Sequence, residues 1–197
     1  MLKIILPIYA ILFYGVAFFW RSYQTWKKTG VNPYRLTATE DIHGFTGKAY
    51  RLISMASAVV LVIFVFLDGL YAYLTPIPWL EIFWLDVLGV VLLFASLTWI
   101  LVAQMQMGNA WRIGIDDENP TDLVTTGIFR LSRNPIFLGV RLNFLGLFLV
   151  LPNAVTLAIW LLGDVMLQIQ VLLEEEYLRN VHGESFQEYI KQVKRWL

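Results

Sequence analysis

Two polar clusters in the C-terminal part of the chain hold the residue types that do chemistry. The first is Arg130, Arg133 and Asn134, set ahead of Pro135; the second is Glu174, Glu175 and Glu176. Proline is well placed at the first position of a helix, where its missing N–H would have had no partner. The next N–H groups, of Ile136, Phe137 and Leu138, are then expected to be free, and with two arginines beside them they make an anion site. The same residues also suit the basic cytoplasmic flank of a membrane helix, and the pattern alone does not separate the two readings. The glutamates are the converse case. At the cytoplasmic end of an apolar helix they oppose both the helix dipole and an anionic leaflet. Two unfavourable terms require an offset, either a bound cation or arginine partners. Glu176 reads as solvated, whereas Glu174 and Glu175 are candidates for a site.

Between the clusters lie two apolar runs split by Leu151-Pro152-Asn153. A hairpin of membrane helices there would carry both clusters to one side of the bilayer, and ionisable groups gathered in that way are a functional-site hypothesis by default. Composition agrees. The chain has 197 residues, of which 58% are hydrophobic, and its mean hydropathy is +0.62. The apolar residues sit in long blocks, which means a polytopic membrane protein rather than a soluble core. The expected fold is all-α with five transmembrane helices, in one domain over residues 1–197, with residues 106–197 as the cofactor-binding and catalytic region. Zero net charge gives no electrostatic case for nucleic acid. The absence of cysteine excludes disulfides and thiol chemistry. His43 and His182 have no partner at metal-ligand spacing, so no metal is expected.

The expected spans are Leu2–Trp20, Leu52–Leu74, Trp79–Met105, Pro135–Leu151 and Asn153–Leu173. The first has no small-residue cleavage site before Arg21 and reads as a retained helix. The last continues as helix through Glu174–Val181 until Gly183, which suits a helix end. An amphipathic helix over Ser185–Trp196 would then lie on the membrane. Basic residues fall in Arg21–Arg51 (including Arg35), in Gln106–Asn134 and in the tail, and avoid Thr75–Pro78 and Pro152-Asn153. This places the N-terminus outside and the C-terminus in the cytoplasm, in an inner membrane. Within the spans, Arg141 and Asp164 read as an ion pair across the hairpin, and Asp68 as structural. Asp164, Gln168 and Glu175 share one helical face, and Gln170 and Glu174 a neighbouring one. The run Gly108-Asn-Ala-Trp111-Arg112-Ile-Gly114 is not a nucleotide loop, because it lacks the preceding strand and the glycine spacing.

Taken in order, that run, then Leu123-Val-Thr-Thr-Gly127-Ile-Phe129-Arg130, then Arg133-Asn134-Pro135-Ile-Phe137-Leu-Gly139, then Glu174-Glu175 with Leu178, Gly183 and Tyr189, resemble a family. It is the isoprenylcysteine carboxyl methyltransferase and phospholipid methyltransferase group of integral membrane enzymes. The resemblance covers roughly Gln106 to the C-terminus. It implies S-adenosylmethionine as cofactor, with contacts at Leu123, Val124, Phe129, Arg133, Asn134, Pro135, Ile136 and Glu174, and with Glu175 as a further candidate. It implies methyl transfer to a small lipophilic or lipid acceptor at the cytoplasmic face, with Glu174 or Glu175 able to take a proton. The family's usual Arg-His-Pro reads Arg133-Asn134-Pro135 here, Phe129 replaces a tyrosine, and Thr121 stands where histidine is frequent. Members that methylate a prenylcysteine carboxylate carry arginine four residues before the first glutamate. This chain has Gln170 there, so a neutral or amine-bearing acceptor is expected instead. The alternatives are an NADPH-dependent membrane reductase of the sterol-reductase type and a non-catalytic membrane accessory protein.

Overall fold

Apolar length sets the elements of the computed structural model, which describes residues 1–33, 42–114 and 120–197. Helix α1 runs Leu2–Thr29, with Ile11–Trp20 wound as wider π turns. Helix α2 is Ile42–Phe66, α3 is Phe83–Met107, α4 is Pro135–Val150 and α5 is Ala154–Gln192. Four of these are long and apolar enough to cross a membrane, and α4, at 16 residues, is the short fifth apolar helix. The chain is a polytopic α-helical membrane protein.

Several boundaries differ from the sequence expectation. Helix α2 starts ten positions earlier than expected, at Ile42, and stops at Phe66. The first loop is therefore shorter than Arg21–Arg51; Arg35 lies outside the described residues. Asp68 opens a separate short turn, Asp68–Tyr71, and pairs with Lys3 of α1. Glu174–Glu176 do not sit at a helix end. Helix α5 has 39 residues and bends only at Gly183 (φ 51°, ψ −119°), a backbone shape that disfavours any side chain. The helix-dipole argument for the glutamates therefore does not hold, and what offsets their charge has to be found among their neighbours.

Helix α3 is the post against which the hairpin is set. Gly89 and Gly146 oppose each other closely enough that a Cβ on Gly89 would meet the Gly146 carbonyl at 2.9 Å. A Cβ on Gly139 would meet Ile100 at 2.5 Å. Small residues at these crossings let the helices approach closely, which is how helices associate where lipid removes the hydrophobic drive. Trp99 of α3 donates to the Pro135 carbonyl at 2.9 Å and fixes the start of α4. Helix α1 is tied on by Gln104, which donates to the Ala17 carbonyl at 2.7 Å. Arg21 donates to the carbonyls of Gln104 and Gly108 at 2.7 and 2.6 Å, closing the end of α3. At the opposite end of the bundle the two proline turns meet: Ile77 donates to the Pro152 carbonyl at 2.8 Å and Ala154 to the Thr75 carbonyl at 3.1 Å. Asn153 caps α5 with a reciprocal Thr156 contact.

Candidate functional site

The hairpin brings the two clusters together. Arg133 Nη2 lies 3.1 Å from Glu175 Oε1, and the Asn134 amide donates to the same oxygen at 3.1 Å. The bend at Gly183 returns the chain, so that Arg195 reaches Glu175 Oε2 at 2.8 Å. The tail is fastened along its backbone as well. Arg133 N–H donates to the Lys194 carbonyl at 3.0 Å, and the Arg133 guanidinium donates to the carbonyls of Val193 and Ile190. The Ser132 hydroxyl donates to the Arg195 carbonyl at 3.1 Å. Deeper in the hairpin, Arg141 pairs with Asp164 as the sequence suggested, and its guanidinium also lies 4.4 Å from the Trp196 ring centroid. Burial pushes the Glu175 carboxyl up, but the Arg195 hydrogen bond, the charges of Arg133 and Arg195 and the Asn134 amide outweigh it, so its pKa falls below the usual carboxylate range.

A cavity of about 150 Å³ lies on the other side of Arg133. Phe129, Arg133, Asn134, Pro135, Ile136, Gln170 and Glu174 line it; Leu123, Val124 and Glu175 do not. Leu123 packs instead on Phe186, Tyr189 and Val193 beneath the tail. Arg130 is exposed and takes no part in the wall. Of the N–H groups expected to be free at the start of α4, that of Leu138 is used, donating to the Asn134 carbonyl at 3.0 Å. Ile136 and Phe137 remain first-turn donors, and both residues line the cavity.

Glu174 begins the part of α5 beyond the apolar run, and its surroundings differ from those of Glu175. Its one hydrogen-bond partner among the described residues is the Gln170 amide, at 3.2 Å. Burial with only that neutral donor pushes its carboxyl up to about 7. Gln170 is held in turn by the Thr46 hydroxyl of α2, which donates to Gln170 Oε1 at 2.9 Å.

The rest of the wall includes residues that sequence reasoning did not place at a site: Phe18, Thr46 and Tyr50 from α1 and α2, Gln104 and Met107 from α3, and Trp111, Arg112 and Ile113 from the run after it. The glycine-flanked run thus contributes to the cavity without being a nucleotide loop. Trp111 is fully buried, and the Gln104 Oε1 atom is buried with no hydrogen-bond partner among the described residues. Tyr189 reaches Phe129 from below, its hydroxyl donating to the Phe129 carbonyl. Gln106 holds the same turn by accepting from Ile128 N–H at 2.8 Å. The motif residues Trp111, Arg112, Gly114 and Leu178 were sequence signals that could have pointed here, whereas helices α1 and α2 carry none.

The arrangement joins a carboxylate, an orphaned amide oxygen, first-turn N–H donors, an arginine and aromatic walls. Such a set is chemically complementary to a small molecule bearing both charges and an apolar ring. A family model described as phospholipid methyltransferase matches residues 84–185, just over half of the chain, from the start of α3 to just past the bend of α5. No curated protein and no solved structure matches the chain.

Proposed function

The chain belongs to the phospholipid methyltransferase family, a family of membrane methyltransferases acting on lipid-like substrates, and from that premise we propose that it uses S-adenosylmethionine to methylate a lipid acceptor at the cytoplasmic face of the membrane. The observation that carries this reading is Glu174, a cavity carboxylate with one neutral partner among the described residues, lining the same cavity as the first-turn residues of α4. When bound, the cofactor supplies a methyl carbon whose bond to sulfur breaks, the electron pair staying on sulfur, as an acceptor lone pair forms the new bond.

The protein's own contribution is positioning, charge and dryness. Glu174 and the Gln104 Oε1 atom would face the cofactor's positive groups. The Ile136 and Phe137 N–H groups would take its carboxylate. Trp111, Phe129 and Phe137 would wall its adenine and exclude water. Arg133, expected from the resemblance to be a contact, lines the cavity, and its donors go to Glu175 and to the carbonyls of Ile190 and Val193. It sets the start of α4 against α5 and so shapes the wall. A carboxyl near pH 7 is also suited to receive the proton that an amine acceptor loses on methylation. A nicotinamide cofactor with an extra phosphate fits less well, since Arg133 is already occupied.

Binding tests the reading. S-adenosylmethionine at a hundred times its Kd should stabilise the detergent-solubilised protein by about 2.7 kcal/mol, seen as a raised Tm, while NADPH leaves the Tm unchanged. Stabilisation by NADPH alone would favour the reductase, and stabilisation by neither would favour the accessory protein.

A further inference from the structure

Arg51 lies within helix α2, is exposed, and has no ion-pair or hydrogen-bond partner among the described residues. In this it differs from Arg141, which Asp164 neutralises. Arg51 directly precedes the apolar run that begins at Leu52, so its charge stands at the membrane interface, where an anionic group is its natural partner. Arg51 stands on the rim of a second cavity, of about 410 Å³, formed between α1 and α2. Its apolar wall is aromatic: Tyr14, Phe18 and Phe19 from α1 and Tyr50 from α2. Its polar edge is Arg51 with Ser22, and Ser22 lies just past Arg21, where the apolar run of α1 ends. The groove is open on the outside of the bundle, with Phe19 76% exposed. Phe18, Tyr50 and Ile113 line both this groove and the Glu174 cavity, so they form the partition between the two.

An apolar wall that ends, at the end of the apolar run, in a cation with no partner among the described residues matches an amphiphile whose anionic group sits at the interface. Arginine's planar fork suits phosphate oxygens. We propose that the α1–α2 groove is the acceptor seat, which binds a glycerophospholipid with an acyl chain along Tyr14, Phe18, Phe19 and Tyr50 and its phosphate on Arg51. The headgroup would then point past the Phe18–Tyr50–Ile113 partition towards Glu174. That last step rests on the methyltransferase reading above, whereas the binding of the phospholipid does not. The seat is built from helices outside the matched residues 84–185. Acceptor choice would therefore be set by a different part of the chain from the cofactor cavity.

The experiment is photolabelling of the full chain in detergent with a phosphatidylethanolamine that carries a diazirine in one acyl chain, mapped by peptide mass spectrometry. Label is expected on the peptides holding Tyr14–Phe19 and Tyr50. Unlabelled phosphatidylethanolamine should compete and diacylglycerol should not. Arg51→Gln, at an exposed position and matched to wild type in Tm, should label about tenfold less, the loss of one charge-assisted contact, and Arg51→Lys should recover part of the labelling. Label confined to other helices, equal competition by diacylglycerol or a fatty acid, or unchanged labelling of Arg51→Gln would each overturn the proposal. Stabilisation by S-adenosylmethionine, measured on the same samples, separates the two readings. If wild type shows the labelling pattern without that stabilisation, the cofactor assignment fails and the groove stands. If it shows stabilisation without the pattern, the groove fails and the cofactor assignment stands.

Discussion

Glu174 and Glu175 are adjacent on one helix and belong to two regions with opposite chemistry. Glu175 is 3% exposed and engages Arg133, Arg195 and Asn134, so its charge is met on every side. Glu174 has the Gln170 amide and a cavity. The first region resembles a clasp that fixes the C-terminal tail across the hairpin; the second leaves a carboxylate with one neutral partner, among the described residues, on a cavity wall. A run of acids read as one motif is thus two devices, separated by the 100° turn between neighbours on a helix. The difference also explains why Arg133 is not the free anion-binder that its position suggests.

Breaking the clasp should have the largest effect. Glu175→Ala leaves Arg133, whose side chain is 10% exposed, buried without its counter-charge. Removing one partner of a buried pair costs about 3–5 kcal/mol, so the Tm in detergent should fall sharply with S-adenosylmethionine absent. The clasp also has a pH signature. The Glu175 pKa is lowered in the fold, so the stability it contributes is present above the unfolded carboxyl range and is lost as pH falls through its folded value. A Glu175→Ala protein as stable as wild type at neutral pH would show that the tail is not held by this contact.

The cavity carboxylate should behave in the opposite way. Glu174→Gln removes a charge that the fold does not pair, so the protein without cofactor should be as stable as wild type or more so. Its affinity for S-adenosylmethionine should fall by about 1.5–3 kcal/mol, roughly ten- to a hundredfold, as expected for one charge-assisted contact. Because the Glu174 pKa is raised to about 7, the stability its proton confers is full below the unfolded carboxyl value and is lost as pH rises through about 7. Cofactor affinity should move the other way, rising across that window as the carboxylate forms, and Glu174→Gln should flatten the rise. Arg112 and Arg133 line the same cavity. Isothermal titration at pH 6 and pH 8 checks this, and parallel slopes in wild type and variant would remove Glu174 from the binding charge.

The hairpin was legible because its two arms are neighbours in the chain and a three-residue turn leaves them only one way to pack. The Arg141–Asp164 pair followed from the same geometry. Helix α2 was less legible. His43, Lys48 and Arg51 made its first turns look like loop, yet Gly44, Thr46 and Gly47 give it a buried face. The contact that secures it, Thr46 with Gln170, spans 124 positions of sequence. No local pattern encodes that. The clasp was hidden for a related reason. Arg195 meets Glu175 only because the helix bends at Gly183, which the sequence marked as a stop rather than as a turn that sends the helix back. The second wall of the cavity, from α1 and α2, had no motif to announce it.

Leu123 gives the smallest and sharpest test of the division between clasp and cavity. Family resemblance makes it a cofactor contact, whereas the structure seats it on Phe186, Tyr189 and Val193 under the tail, away from the cavity wall. Its partly buried side chain contributes packing, and trimming it to alanine should cost about 1–2 kcal/mol of stability. Among the described residues the paths from there to the cavity are indirect, through the Tyr189 hydroxyl on the Phe129 carbonyl and through Leu178, which packs on the same cluster and lines the cavity. Leu123→Ala should therefore lower the Tm by a few degrees and change S-adenosylmethionine affinity by less than about twofold, or about 0.4 kcal/mol. Phe129→Ala, which removes a ring from the wall itself, is the control and should weaken binding clearly. If Leu123→Ala instead weakened binding as much as Phe129→Ala while leaving the Tm in place, the cofactor would extend under the tail, and the clasp would be part of the site rather than its support.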